Sequence, residues 1–152
     1  MDWITTYASE TQLQQTVNTL AQCNDRTARF GLSLTAREME KLAWERFAAL
    51  RAVGRVEFGG GILPALIDAF CDSAYLQQAT YAETICTLQE IFYAQKGACG
   101  LSDAELLVAM RRVYDELAGG DAAFLADVPP EALRRIAAGR SLRDTGLERG
   151  DG

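Results

Sequence analysis

The fold is decided most clearly by residues 35–54, which read TAREMEKLAWERFAALRAVG. The first four, Thr35-Ala36-Arg37-Glu38, form a capping box, in which the threonine hydroxyl and the glutamate carboxylate each accept a hydrogen bond from the other residue's backbone N–H. Apolar side chains then recur every three or four positions, and Gly54 follows as a helix-ending residue. This stretch therefore predicts an amphipathic helix with one apolar stripe.

The same start and stop signals recur along the chain. The predicted helices are residues 10–22, residues 36–53, a short helix from Pro64, a helix from a capping box at Thr80 to Gly97, a helix from a capping box at Ser102 to Gly119, and residues 130–138. Amphipathic stripes must pack on one another, so we expect an all-α protein, a compact bundle or orthogonal array of six to seven helices. Residues 1–139 should form a single domain, and residues 140–152 a disordered tail.

Charge argues against nucleic-acid binding. The 152 residues carry a net charge of −6, and residues 61–120 hold eight acidic side chains against three basic ones. Affinity for nucleic acid depends on neutralising phosphates, which an acidic centre opposes. The chain also has no apolar run longer than five residues, so we expect no membrane span and a cytoplasmic location.

Histidine is absent, and the four cysteines have no recognised zinc or redox spacing. We therefore predict no catalytic residue, no metal and no cofactor. Cys71 and Cys86 should behave as small buried hydrophobes, with the Cys71 thiol pKa raised by the neighbouring Asp72. Cys23 and Cys99 fall in or near connectors, where we expect them to be exposed.

The glycine-rich run at residues 54–61 allows two interpretations. Its backbone N–H groups and Arg55 could bind an anion in front of the following helix, although Pro64 removes one donor and no P-loop lysine is present. Alternatively, the run is a tight connector between two helices. The ligand site would comprise Arg55, Glu57, Gly59, Gly60, Gly61 and Asp72.

Arg46 lies on the buried stripe of its helix, between Leu42 and Leu50. A buried guanidinium needs a carboxylate, and the nearest candidates in sequence are Glu57, Asp68 and Asp72, for which Arg55 competes. The resulting group is either an ion-pair clip that holds the connector or a site for ligand binding or acid–base chemistry.

Trp44 lies on the border between the apolar stripe and the charged face of the same helix. It either contacts a partner protein or covers the first helix or the N-terminal arm. Both interpretations stay open at this point.

The run Gly54-Arg55-Val56-Glu57-Phe58-Gly59-Gly60-Gly61-Ile62-Leu63-Pro64, with Phe70-Cys71-Asp72-Ser73 and Phe92-Tyr93 after it, resembles a family of small uncharacterised bacterial proteins. The resemblance covers about residues 32–138 and implies a bacterial, helical, single-domain protein. It implies no activity, so no functional residue follows from it.

The favoured function is a non-enzymatic interaction or regulatory module whose partner is another protein or a second copy of the chain. The alternative is a small-molecule binding protein or enzyme, with an anionic ligand at the connector from Arg55 to Gly61. A pocket in which Arg55, Glu57 and Asp72 converge would favour the alternative, whereas paired side chains would favour the connector.

Overall fold

The computed structural model describes residues 3–55, 57 and 61–139, with side chains from residue 10 onward, and this part of the chain is helical without any β-strand. The predicted all-α fold is confirmed. The described residues form seven α-helices: α1 (Trp3–Thr27), α2 (Ala36–Val53), α3 (Leu63–Phe70), α4 (Tyr81–Cys99), α5 (Asp103–Glu116), α6 (Ala122–Ala126) and α7 (Pro130–Ala137).

Helix α4 lies at the centre of the array, where it packs against α2, α3, α5, α6 and α7. Its buried side chains include Ile85, Leu88 and Phe92, each with no exposed surface. Helix α2 packs against α1 as well as against α4. The buried side of α2 therefore packs against both α1 and α4, and its opposite side faces solvent.

Two capping boxes are present as predicted. At Thr35 and at Ser102 the hydroxyl accepts from the backbone of Glu38 and Glu105, and each glutamate accepts from the backbone N–H of its cap residue. The third predicted box, at Thr80, is wrong. Thr80 ends a short 3-10 helix that continues into α4, and its side chain makes no capping hydrogen bond.

The bounds of α1, α4 and α5 also differ from the sequence prediction, and α5 ends at Glu116 rather than at Gly119. Helix α1 extends beyond 10–22 to Trp3–Thr27, because Asn24 does not break it: its side-chain amide pairs with both the N–H and the C=O of Leu34. Helix α4 passes through Gly97 and ends at Gly100, whose φ of 70° provides the left-handed turn that closes the helix.

The predicted exposure of Cys23 and Cys99 is wrong. Both side chains lie in the core, 1% and 0% exposed, because α1 and α4 extend past the predicted ends and carry these residues into the helical packing. The predicted tail at 140–152 lies outside the described residues.

Candidate functional site

Arg46 lies in the core of the protein and is 1% exposed. Helix α2 directs it inward because it shares the buried stripe with Leu42 and Leu50. Its Nε donates to Oε1 of Glu57 at 3.1 Å, and its Nη1 donates to the Thr16 hydroxyl of α1 at 2.6 Å. Of the three predicted carboxylate partners, Glu57 is therefore the one that Arg46 contacts.

Glu57 collects donors from three parts of the fold. Its Oε1 also accepts from the Tyr93 hydroxyl of α4 at 2.7 Å and from the backbone N–H of Ile62 at 3.3 Å, and its Oε2 accepts from Arg55 Nε at 2.8 Å. Burial, together with the hydrogen bond to Glu57, raises the pKa of Tyr93 well above its usual range, so the phenol stays a donor. The Glu57 carboxylate thus connects the segment between α2 and α3, which we call the linker, to α2 and α4.

Gly61 is required where the linker passes this carboxylate. Its φ is 60°, and a Cβ there would lie closer than 3.0 Å to Oε1 of Glu57 and to Nη2 of Arg46. Both the left-handed backbone and the close approach disfavour any residue with a Cβ at this position. The sequence singled out Gly61 for a possible ligand, but the atoms that occupy the space next to it are those of the ion pair.

Arg55 extends the network to the start of α5. Its Nη2 donates to Oδ2 of Asp103 at 2.8 Å, and Lys96 Nζ lies 3.3 Å from Oδ1 of the same carboxylate. Burial alone would raise the pKa of Asp103, but the hydrogen bonds from Arg55 and Lys96 outweigh it and hold the pKa below its ordinary value. Sequence analysis missed Lys96 and Asp103, since no pattern links them to residue 55.

Asp72 does not join this cluster. It pairs with Arg111 Nη1 at 2.6 Å, and this hydrogen bond is the main reason that the pKa of Asp72 is lowered. Arg111 lies two turns along α5 from Asp103, about 12 Å at 1.5 Å per residue. Arg111 also bonds Asp115 at 2.5 Å, so Asp72 belongs to a separate clip between the end of α3 and α5.

The predicted ligand site is therefore divided. Arg55, Glu57 and Gly61 lie together, Asp72 lies elsewhere, and Gly59 and Gly60 fall outside the described residues. The charged groups that meet at Glu57 are paired with one another, which is the arrangement expected of a connector clip. Anion binding at this place stays a prediction.

Trp44 lies on the opposite side of α2 and is 58% exposed. Its ring contacts Phe47 edge to face, with centroids 6.2 Å apart. Beside it runs a groove of about 360 Å³ between α1 and α2, lined by Leu13, Val17 and Ala43 among others. Trp44 thus borders a groove next to the first helix but leaves most of its surface open to solvent. Both interpretations of this residue stay predictions.

Most of the chain, residues 19–140, matches the model of a family of unknown function (DUF6323). The chain belongs to this family. No curated protein and no solved structure matches it. The family match includes Arg46, Glu57, Asp72 and Trp44 and assigns no role to any of them.

Two of the buried cysteines, Cys23 and Cys71, have a raised thiol pKa. Burial raises the pKa of the Cys71 thiol, with further contributions from Asp72 and Asp68. Burial likewise raises the pKa of Cys23, against the opposing effect of Arg26. Both thiols therefore stay protonated and weakly nucleophilic at neutral pH.

Cys86 differs from the sequence interpretation, because it is only half-buried and its thiol contacts Glu45 on α2. Glu90, one turn further along α4, brings a third donor, and the ligand atoms of Glu45, Cys86 and Glu90 all lie within 4.8 Å of one another. A thiol and two carboxylates are the donor types that bind a divalent metal. Sequence analysis missed this group because Glu45 and Cys86 lie on different helices, 41 positions apart in the sequence.

No helix in residues 3–55 and 61–139 combines the length and the hydropathy that crossing a bilayer requires.

Proposed function

We propose that this protein is a non-enzymatic protein-interaction module that uses the exposed side of α2 as its contact surface. The surface consists of Glu40, Trp44, Phe47 and Arg51, which we call the outer stripe of α2. The proposal rests on one observation, the 58% exposure of the Trp44 side chain in the middle of a regular helix.

Exposure of this kind is costly for tryptophan. The other exposed aromatic side chains in the described residues are smaller and less exposed, Tyr75 at 46% and Phe30 at 38%. Trp44 also lies outside the buried side of α2, which consists of Met39, Leu42, Ala43, Arg46 and Leu50. Tryptophan is enriched at the energetic centres of protein interfaces, where its large rigid surface becomes buried.

The charged cluster at Glu57 supports a non-enzymatic role. Its carboxylate accepts from Arg46, Arg55 and Tyr93, so it is already committed to hydrogen bonds within the fold. A general base needs a free lone pair within reach of a substrate proton. The cluster serves instead to hold α2 against α1, α4 and the linker, which keeps the outer stripe rigid.

We also propose that the family is bacterial and that this protein works in the cytoplasm. All four cysteines lie in the described part of the chain, and none of them forms a disulfide there. Free thiols are the state expected in a reducing compartment. Fractionation of cells that produce the tagged protein tests this point, since recovery from the periplasm or the medium would contradict it.

The interaction role is tested by comparing proteins retained on three immobilised baits: wild type, Trp44→Ser and Val108→Ser. Val108 is the matched control, because it is 60% exposed on α5 and away from α2. We expect a defined set of proteins, which can include the protein itself, to be retained by wild type and by the Val108 variant and lost from the Trp44 variant. Equal retention by all three baits would contradict the proposal.

A further inference from the structure

We infer that the outer stripe of α2 pairs with the same stripe of a second copy of this chain, with the two α2 helices antiparallel. The inference rests on the proposed function and names the partner of that surface. It follows from the order of residue types along the stripe, from the charges at its two ends and from the two grooves beside it.

The four residues of the outer stripe lie in one row along α2. Glu40, Trp44, Phe47 and Arg51 follow one another at steps of four, three and four positions, which keeps them on one side of an α-helix. Two aromatic rings occupy the middle, and charges of opposite sign occupy the two ends. The Arg51 guanidinium lies 5.8 Å from the Phe47 ring centroid, so it stays next to the aromatic pair.

The charges at the two ends of the stripe, those of Glu40 and Arg51, form no ion pair within the part of the chain that the structure describes. Within residues 10–55, 57 and 61–139, neither Glu40 nor Arg51 lies in an ion pair, whereas most neighbouring charges do, such as Lys41 with Glu45 and Arg55 with Asp103. Both side chains are exposed. Opposite charges without an ion-pair partner, placed at the two ends of an aromatic pair, are the pattern expected of a complementary interface.

The stripe is complementary to itself in one orientation. Its midpoint falls between positions 45 and 46, so a two-fold axis there places position 40 opposite position 51 and position 44 opposite position 47. In the antiparallel pair, each Glu40 therefore meets Arg51 of the second copy, and each Trp44 meets Phe47 of the second copy. A parallel pair would instead bring the two Glu40 side chains together, which like-charge repulsion disfavours.

The grooves on either side of the aromatic pair match this arrangement. One, next to Trp44, is lined by Leu13, Val17 and Ala43, and the other, next to Phe47, by Gln12 and Leu50 among others; each has a volume of about 360 Å³. The same two-fold axis places the Trp44 groove of one copy over the Phe47 groove of the other. Each tryptophan then enters a groove between α1 and α2, as a knob enters a hole.

Sedimentation velocity of the full chain over a range of concentrations tests the inference. We expect wild type and Val108→Ser to form a dimer at tens of micromolar, about the affinity of a small interface. Glu40→Arg alone and Arg51→Glu alone should each weaken dimerisation at least about tenfold, because two attractive pairs become repulsive. Trp44→Ser should do the same by removing the knob.

The decisive arm is an equimolar mixture of the Glu40→Arg and Arg51→Glu variants. In the mixed dimer the two substituted side chains face each other as one pair of opposite charges, and the native Glu40 and Arg51 form the other. We therefore expect dimers to return to the wild-type level. Damage to either fold could not be repaired by mixing, and circular dichroism checks that each variant is helical.

A wild type that stays monomeric at all concentrations would overturn the inference, as would charge variants that dimerise like wild type or a mixture that does not recover. The proposed function fails separately. If the protein is monomeric but its retention of other proteins still depends on Trp44, the surface is correct and the second copy is the wrong partner. If Trp44 affects neither measurement, both proposals are wrong.

Discussion

Arg46 and Glu57 form an ion pair in the core, with 3.1 Å between Nε and Oε1 and side chains only 1% and 5% exposed. The pair connects the middle of α2 to the linker before α3. Burying two charges is costly, so the pair holds only because Thr16, Arg55, Tyr93 and the backbone of Ile62 supply further hydrogen bonds. It fixes one side of α2 and thereby orients the opposite side.

Replacing Arg46 by leucine should destabilise the protein by about 3–5 kcal/mol, because it leaves a buried carboxylate without its main cation. Urea unfolding followed by circular dichroism measures this change. The control is Arg26→Leu, which breaks an exposed pair with Asp68 at 3.0 Å, with side chains 47% and 53% exposed. Such a pair contributes less than about 1 kcal/mol. An Arg46 variant as stable as the control would disprove the clip.

Gly61→Ala tests the close approach of the linker to the ion pair. The left-handed backbone alone should cost about 1–2 kcal/mol, and the overlap of the new Cβ with Glu57 and Arg46 should add to it. Gly97→Ala is the matched control, since this glycine lies inside α4 with nothing within 4 Å of a new Cβ. That change should stabilise the protein by about 0.5–1 kcal/mol. Equal thermal shifts in the same direction would count against the geometry at Gly61.

The helix caps make a prediction that distinguishes two threonines. Thr35→Ala should cost about 1 kcal/mol, because the hydroxyl accepts from the Glu38 backbone N–H. Thr80→Ala should cost much less, because the Thr80 side chain makes no capping hydrogen bond. Thermal unfolding of the two variants checks this order. A larger loss at Thr80 than at Thr35 would restore the capping box that the sequence predicted there.

Asp103 should contribute stability that depends on pH. Its folded pKa is lowered, so the contribution is complete above the unfolded value of about 3.9 and is lost as the pH falls through the folded pKa. Asp103→Asn should therefore be less stable than wild type at pH 7, and the difference should close in acid below pH about 4. Urea unfolding at several pH values measures the difference. Asp25→Asn, at an exposed aspartate, controls for the loss of one charge; a gap at Asp103 that is constant down to pH about 2 would contradict the assignment.

The helical fold could be predicted because the information is local. Each capping box, at Thr35 and at Ser102, marks the start of its own helix. Each apolar stripe likewise identifies the buried side of the helix that carries it. Thr80 shows the limit of such signals. Its sequence matches the box, but Thr80 belongs to the preceding 3-10 helix and has a ψ of 10°, whereas the two true caps, Thr35 and Ser102, are extended with ψ of 164° and 163°.

The candidate site was predictable only in part, for the same reason. Arg46 had to find a carboxylate because its own helix buries it, and Glu57 was among the few within reach along the chain. That Asp72 pairs with Arg111 instead, and that Asp103 pairs with Arg55, depends on how α5 crosses the other helices. No spacing in the sequence carries that information.

The central claim, that the outer stripe of α2 is a contact surface, is tested most directly by a photo-crosslinking amino acid placed at position 44 in cells. Position 108 on α5 carries the same label as the control. We predict covalent adducts of defined mass from position 44, either with a second copy of the chain or with another protein, and none of these adducts from position 108. No adduct from position 44, or the same adducts from both positions, would contradict the claim.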